Sequence, residues 1–140
     1  MNKFDKAYLK MAQEWAKLSY CKRKQVGALI VKDRMIISDG YNGTPSGFEN
    51  CCEDGEGKTH WYVLHAEANA ILKLAASTQS AKGATLYLTL SPCKECSKLI
   101  LQAGITRLVY INEYSDEDGI AFLRNHGIEI EQISDCELKK

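Results

Sequence analysis

A chain of 140 residues is the length of one domain, and its 45% hydrophobic and 26% charged residues are those of an ordinary globular protein. Eighteen basic side chains balance eighteen acidic ones, so no global field recruits a polyanion, which argues against polymeric nucleic acid and for a small substrate. No apolar run approaches the ~20 residues that span a bilayer. Residues 1–18, studded with Lys3, Asp5, Lys6, Lys10, Glu14 and Lys17, also lack the apolar core of a secretory leader, so no membrane partner and a cytoplasmic location are expected.

Phe4, Tyr8, Met11, Ala12, Trp15 and Leu18 recur at helical spacing, which predicts a helix over 3–19. Val26 to Val31 and Met35 to Ser38 are β-rich runs, and Lys32-Asp33-Arg34 between them reads as a hairpin turn. Gly40 to Gly57, rich in Gly, Asn, Pro, Ser and acidic residues, reads as a long loop of the kind that is functional or disordered. Helix is expected again over 65–76, a strand over 85–90, and a helix over 93–103 that opens after Pro92 and stops at Gly104. A strand over 108–111, a helix over 119–125 and a strand over 128–133 complete the chain. Strands alternating with helices imply an α/β fold, a mixed sheet covered by helices, in a single domain over 1–140.

Two short segments carry the chemistry: His65-Ala66-Glu67, and Pro92-Cys93-Lys94-Glu95-Cys96. One His and two Cys suit a tetrahedral zinc ion with an open fourth position. At helix N-termini, partial positive charge favours thiolates over thiols. Water in the fourth position has its pKa lowered towards ~7. Glu67 is then placed to take that water's proton and pass it on. Taken alone, Cys-x-x-Cys reads equally as a redox dithiol or half of a structural zinc site, and His-x-Glu as a helix surface. Only catalysis uses all four residues at once. The six cysteines of a reducing compartment are otherwise expected as metal ligands or core residues, not as a disulfide framework.

H-x-E followed by P-C-x-x-C is the signature of zinc deaminases acting on cytosine or adenine. HAEANAI at 65–71 and TLSPCKECSKLI at 89–100 resemble the cytidine deaminase superfamily. GYNGTPSG at 40–47 and QVGALIV at 25–31 narrow the resemblance to the deoxycytidylate (dCMP) deaminases, over about residues 20–130. The resemblance implies a three-layer α/β/α cytidine-deaminase-like fold around a mixed five-stranded sheet. It implies zinc-dependent conversion of dCMP to dUMP and ammonia, which feeds thymidylate synthesis. It also implies a homo-oligomer, often a hexamer, with dCTP and dTTP as effectors and Mg2+ accompanying dCTP. His65, Cys93 and Cys96 match the zinc ligands and Glu67 the proton shuttle. Asn42 matches an Asn that binds the deoxyribose, where its amide offers donor and acceptor; an Asn-Gly turn is the alternative. Tyr114 matches a Tyr near the nucleotide phosphate, or is a half-buried core Tyr. The Ala66 N–H is expected at the base carbonyl. Lys22, Arg23 and Lys24 form the densest basic cluster and read either as a solvated turn or as phosphate contacts.

The resemblance also extends to a structural zinc, with Cys21 and Cys51 at matching positions and His60 as the one His of the insert before the catalytic motif. Cys52 would complete a Cys₃His set. Unpaired cysteines, some buried as small hydrophobes, are the other reading. Two functional alternatives stay open: a deaminase of another nucleoside, nucleotide or base, and a non-catalytic, zinc-stabilised nucleotide-sensing module.

Overall fold

The computed structural model describes residues 2–140. The elements run α1 (Lys3–Ala16), β1 (Gly27–Lys32), β2 (Met35–Tyr41), α2 (Ala66–Ala75), β3 (Thr85–Leu90), α3 (Lys94–Gln102), β4 (Arg107–Asn112), α4 (Asp118–Asn125), β5 (Glu129–Gln132) and α5 (Asp135–Leu138). The five strands form one sheet in the order β2-β1-β3-β4-β5. β1 pairs antiparallel with both β2 and β3, while β3–β4 and β4–β5 are parallel. The sheet is therefore mixed, as expected.

Alternation along the strands divides the core in two. Ala28 and Ile30, Leu86 and Leu88, Leu108 and Tyr110 face one side, under Ala66, Ala70 and Leu74 of α2, Ile100 of α3 and Leu123 of α4. Leu29, Val31, Tyr87, Val109 and Ile111 face the other side, under Leu9 and Ala12 of α1 and Leu138 of α5. Burial on both faces is why the central strands read as near-continuous apolar runs. The result is three layers, α/β/α. Among the described residues no helix is long and apolar enough to cross a membrane.

Most expected elements are found with ends moved by a few residues, and two differ in kind. β2 continues through Gly40 and Tyr41, because β1 pairs with it as far as Gly27. A Cβ on Gly40 would lie 2.5 Å from the Ala66 carbonyl oxygen and 2.8 Å from the Ala70 nitrogen, so this glycine lets the start of α2 press on the sheet. The four-residue α5 was not anticipated, although Ser134 and Glu137 form a reciprocal capping box. The β1–β2 turn uses two residues, Asp33 and Arg34, both at positive φ, as a type I′ hairpin requires.

One polar cluster is built into the α1 side. Asp5 is 1% exposed and receives both guanidinium branches of Arg107 at 2.8 Å and the Tyr87 hydroxyl at 2.6 Å. Arg107 also reaches Glu131 at 2.7 Å and Glu129 at 2.9 Å. The Arg107 hydrogen bonds lead in holding the Asp5 carboxyl below the usual carboxylate range.

Candidate active site

Two helix starts meet above the α2–α3 side of the sheet. His65 is the N-cap of α2 and Cys93 the N-cap of α3, and neither side chain makes the usual capping bond. Both side chains are thereby left for each other. His65 Nδ1 lies 3.6 Å from Cys93 Sγ and 3.3 Å from Cys96 Sγ. Metal bonds of about 2.0 and 2.3 Å at a tetrahedral angle set the N···S separation at about 3.5 Å, so both nitrogen–sulfur spacings suit zinc, and all three ligand atoms lie within 4.8 Å of one another. Their exposure falls from His65, exposed, through Cys93 to buried Cys96. Ser97, fully buried in α3, donates its hydroxyl to the Cys93 carbonyl at 2.8 Å and fixes the ligand's backbone. A Cβ on Gly119 would fall 2.6 Å from the Pro92 oxygen and 3.0 Å from the Cys93 oxygen, so only glycine lets α4 buttress that loop.

The charges of the triad are coupled. The Cys93 thiol is held down to about 3, first by the hydrogen bond from Cys96 and then by that from His65. Cys96 is driven up by its bond to Cys93 and by burial. The pair thus shares one proton, which a divalent cation would displace. His65 is raised, chiefly through its bond to Cys93. Glu67, in the first turn of α2 and 4% exposed, has its carboxyl pushed up to about 7 by burial, against the pull of its own N–H and of His65. A buried carboxyl poised near neutrality suits proton transfer in both directions.

A cleft of about 270 Å³ opens over His65, Glu67 and Cys93 and is walled by Ala66, Leu90, Ser91, Val26, Asn42 and Tyr114. All three expected substrate residues, Asn42, Ala66 and Tyr114, therefore line it. Asn42 also does structural work: its Oδ1 accepts from the Val26 N–H at 2.9 Å and its Nδ2 donates to the Lys24 carbonyl at 2.8 Å. One amide proton and one lone pair remain for a ligand. Arg23 and Lys24 line the cleft too, whereas Lys22 does not. Glu53, Thr59, Val63 and Ser91 were not foreseen as lining. They arrive from the 42–64 segment, whose ends are tied by reciprocal Gly43–Leu64 backbone bonds at 3.0 and 2.8 Å, and from the turn after β3. Nothing local in the sequence marks them.

The remaining cysteines bring a correction. Cys21 and Cys52 are joined as a disulfide, with Cα atoms 5.2 Å apart, where zinc ligands or unpaired cysteines were expected. The chain returns at residue 52 against the segment before β1, which sequence spacing does not reveal. The Glu53 carboxylate lies within 4.8 Å of both sulfurs. Cys51 is exposed, its thiol 3.1 Å from the Glu53 carbonyl, and the His60 ring stacks on Tyr62. Of the four residues expected at a second zinc, the structure brings Cys21 and Cys52 together, without Cys51 or His60.

Comparison with known proteins adds identity to geometry. The sequence pattern of the cytidine and deoxycytidylate deaminase zinc-binding region matches residues 2–112. A deoxycytidylate deaminase of Enterobacteria phage T4 is 36% identical over 87% of this chain and 86% of its own. That of Saccharomyces cerevisiae is 38% identical over 94% of this chain, which spans 45% of the yeast protein's length. A crystal structure of dCMP deaminase from the cyanophage S-TIM5 in complex with dCMP and dUMP superposes with a TM-score of 0.92 at 47% identity, covering 95% of this chain and 99% of the other.

Proposed function

Because this chain belongs to the cytidine and deoxycytidylate deaminase family, we propose that it hydrolyses dCMP to dUMP and ammonia, supplying dUMP for dTMP synthesis in the cytoplasm. The observation that carries this reading is the convergence of His65, Cys93 and Cys96 at zinc-ligand spacing beside the buried acid Glu67. Zinc, when bound by these three residues, supplies Lewis acidity and makes water a nucleophile near neutral pH. Glu67 takes the proton of the attacking water and delivers it to the pyrimidine ring nitrogen. It then carries a proton to the departing amine, so one carboxyl serves as base and acid in turn. The Ala66 N–H meets the base carbonyl oxygen, and the free donor and acceptor of Asn42 meet the deoxyribose hydroxyl.

The test is ammonia release by the zinc-loaded protein from dCMP, CMP, deoxycytidine and cytidine. Expected is a specificity constant for dCMP at least ~100-fold above that for deoxycytidine, the scale seen when a polar site loses its partner. Comparable constants would move the protein to the nucleoside deaminases. Release from none of the four, with zinc bound, would make it a nucleotide-sensing module. A second zinc at Cys21, Cys51, Cys52 and His60 is kept as the competitor of the Cys21–Cys52 disulfide. Two zinc ions per chain, falling to one in Cys21→Ser, support it; one zinc and no reactive thiol at 21 and 52 exclude it. The hexamer, and dCTP with Mg2+ or dTTP as effectors, belong to the same proposal and are read by sedimentation and by kinetics with each nucleotide.

A further inference from the structure

The segment HAEANAI at 65–71 holds one polar side chain that the proposed chemistry leaves unused, that of Asn69. Asn69 lies one turn beyond His65 on α2, where its N–H donates to the His65 carbonyl at 3.0 Å. Its side chain turns to the sheet: Nδ2 donates to the Tyr41 carbonyl, at the end of β2, at 2.9 Å. Gly40 makes room for this approach, since a Cβ there would lie 3.3 Å from Asn69 Cβ as well as against the Ala66 and Ala70 backbone.

Asn42 stands between two ties to the start of α2. On one side Gly43 exchanges backbone bonds with Leu64, the residue before His65. On the other side Tyr41 is held by Asn69. The Asn42 amide itself is fastened in another direction, to the Val26 N–H and the Lys24 carbonyl, and the Asn42 carbonyl accepts from the Ser19 hydroxyl at 2.9 Å. Residues 19–26 and Asn42 thus carry one wall of the cleft, and His65, Ala66 and Glu67 carry another. The two ties join these walls beside Asn42. The backbone bridge asks for no particular side chain, whereas the bond from Asn69 is one that the sequence has to specify.

We propose that Asn69 is a positioning residue: through the Tyr41 carbonyl, its amide sets the distance between Asn42 and the turn that bears His65 and Glu67, so that one substrate molecule engages both. The inference rests on the proposed deaminase function and on its sugar contact at Asn42. A pyrimidine nucleoside joins base to sugar through few soft torsions, so the reach from the reacting carbon to the sugar hydroxyl is nearly fixed. Two walls that drift apart cannot hold both ends at once, and a misplacement of about 1 Å costs up to ~100-fold. Without the Asn69 donor the Tyr41 carbonyl turns to water, and Asn42 follows residues 19–26, to which its amide is bound.

The experiment is a double-mutant cycle of Asn69→Ala and Asn42→Ala, read by calorimetric binding of dUMP to the zinc-loaded protein. Asn69→Ala alone is expected to weaken dUMP about 10-fold, with the zinc of the His65, Cys93 and Cys96 triad retained. In the Asn42→Ala background the same change should cost no more than about 2-fold, because the group it positions is gone. With dCMP the loss should appear in KM, with kcat kept within about 3-fold. Asn69→Asp keeps the shape and turns the donor into an acceptor, so it should reproduce the loss, and it carries the test if the alanine variant does not fold. Equal losses in both backgrounds mark a bond that only supports the fold and overturn the inference. Parental dUMP binding by Asn69→Asp, or a loss confined to kcat, overturns it as well. The binding cycle also separates this inference from the functional reading. The expected non-additivity in a protein that deaminates no dCMP sustains the link and rejects the function; additive losses in an active enzyme reject the link and leave the function standing.

Discussion

Asp5 and Glu67 are both acids withdrawn from water, 1% and 4% exposed, and the fold treats them in opposite ways. Asp5 lies on the α1 side of the sheet and is met by a bidentate guanidinium and a phenol, which keep its carboxyl ionised. Glu67 lies on the α2 side, and its carboxyl is raised to about 7 because burial is opposed only by its own N–H and the His65 charge. A completed acid holds one charge state and joins helix to sheet. An acid left incompletely met can occupy either state, which is what a proton shuttle needs. On the proposed function, the contrast separates structural burial from functional burial within one molecule.

The strongest test of that contrast is Glu67→Gln. Turnover is expected to fall about 10²- to 10⁴-fold, with zinc content unchanged and Tm equal or higher, because desolvating an amide costs less than desolvating a carboxylate. Near-parental turnover, or loss of the fold, would place Glu67 with Asp5 among the structural acids. Asp5→Asn should do the reverse. Breaking a buried pair costs about 3 kcal/mol at the low end of the usual range, and the low end applies because Arg107 keeps Glu129 and Glu131. Urea unfolding reads this loss, while activity per folded molecule should stay at the parental level.

A smaller loss is expected from Tyr87→Phe, which removes one hydrogen bond to a charged acceptor and should cost about 1.5 kcal/mol. No loss would mean that Arg107 alone completes Asp5. The smallest effect is one of pH. The Asp5 carboxyl is lowered in the folded state, so the folded chain binds fewer protons than the unfolded one. Its stabilisation is full above the ordinary carboxylate value of about 3.9 and is lost as pH falls through the lower folded value. Urea midpoints should therefore drop more steeply on acidification below about pH 4 in the parent than in Asp5→Asn. Parallel curves would show that Asp5 does not carry its charge into the fold.

The candidate site was legible because its parts are local. His65 and Glu67 share one helical turn, Cys93 and Cys96 share another, and each spacing states its geometry before any folding is considered. The strands were legible for a similar reason: burial on both faces writes an apolar run into the chain. The short α5 carries a local signal too, the Ser134–Glu137 capping box.

What the tertiary structure alone decided are the pairings between segments far apart in the chain. Asp5 with Arg107, Lys24 with Tyr114, and Cys21 with Cys52 come together only because the sheet order brings their segments side by side. A lone Asp on a helix or a lone Lys before a strand has no local mark that distinguishes a buried partner from solvent. The sequence by itself determined the α/β class and pointed to the candidate site residues, through periodicity and short-range spacing. The closing of the sheet decided which acid is completed, which is left open, and which cations face the cleft, because those outcomes depend on desolvation and on partners that only folding supplies.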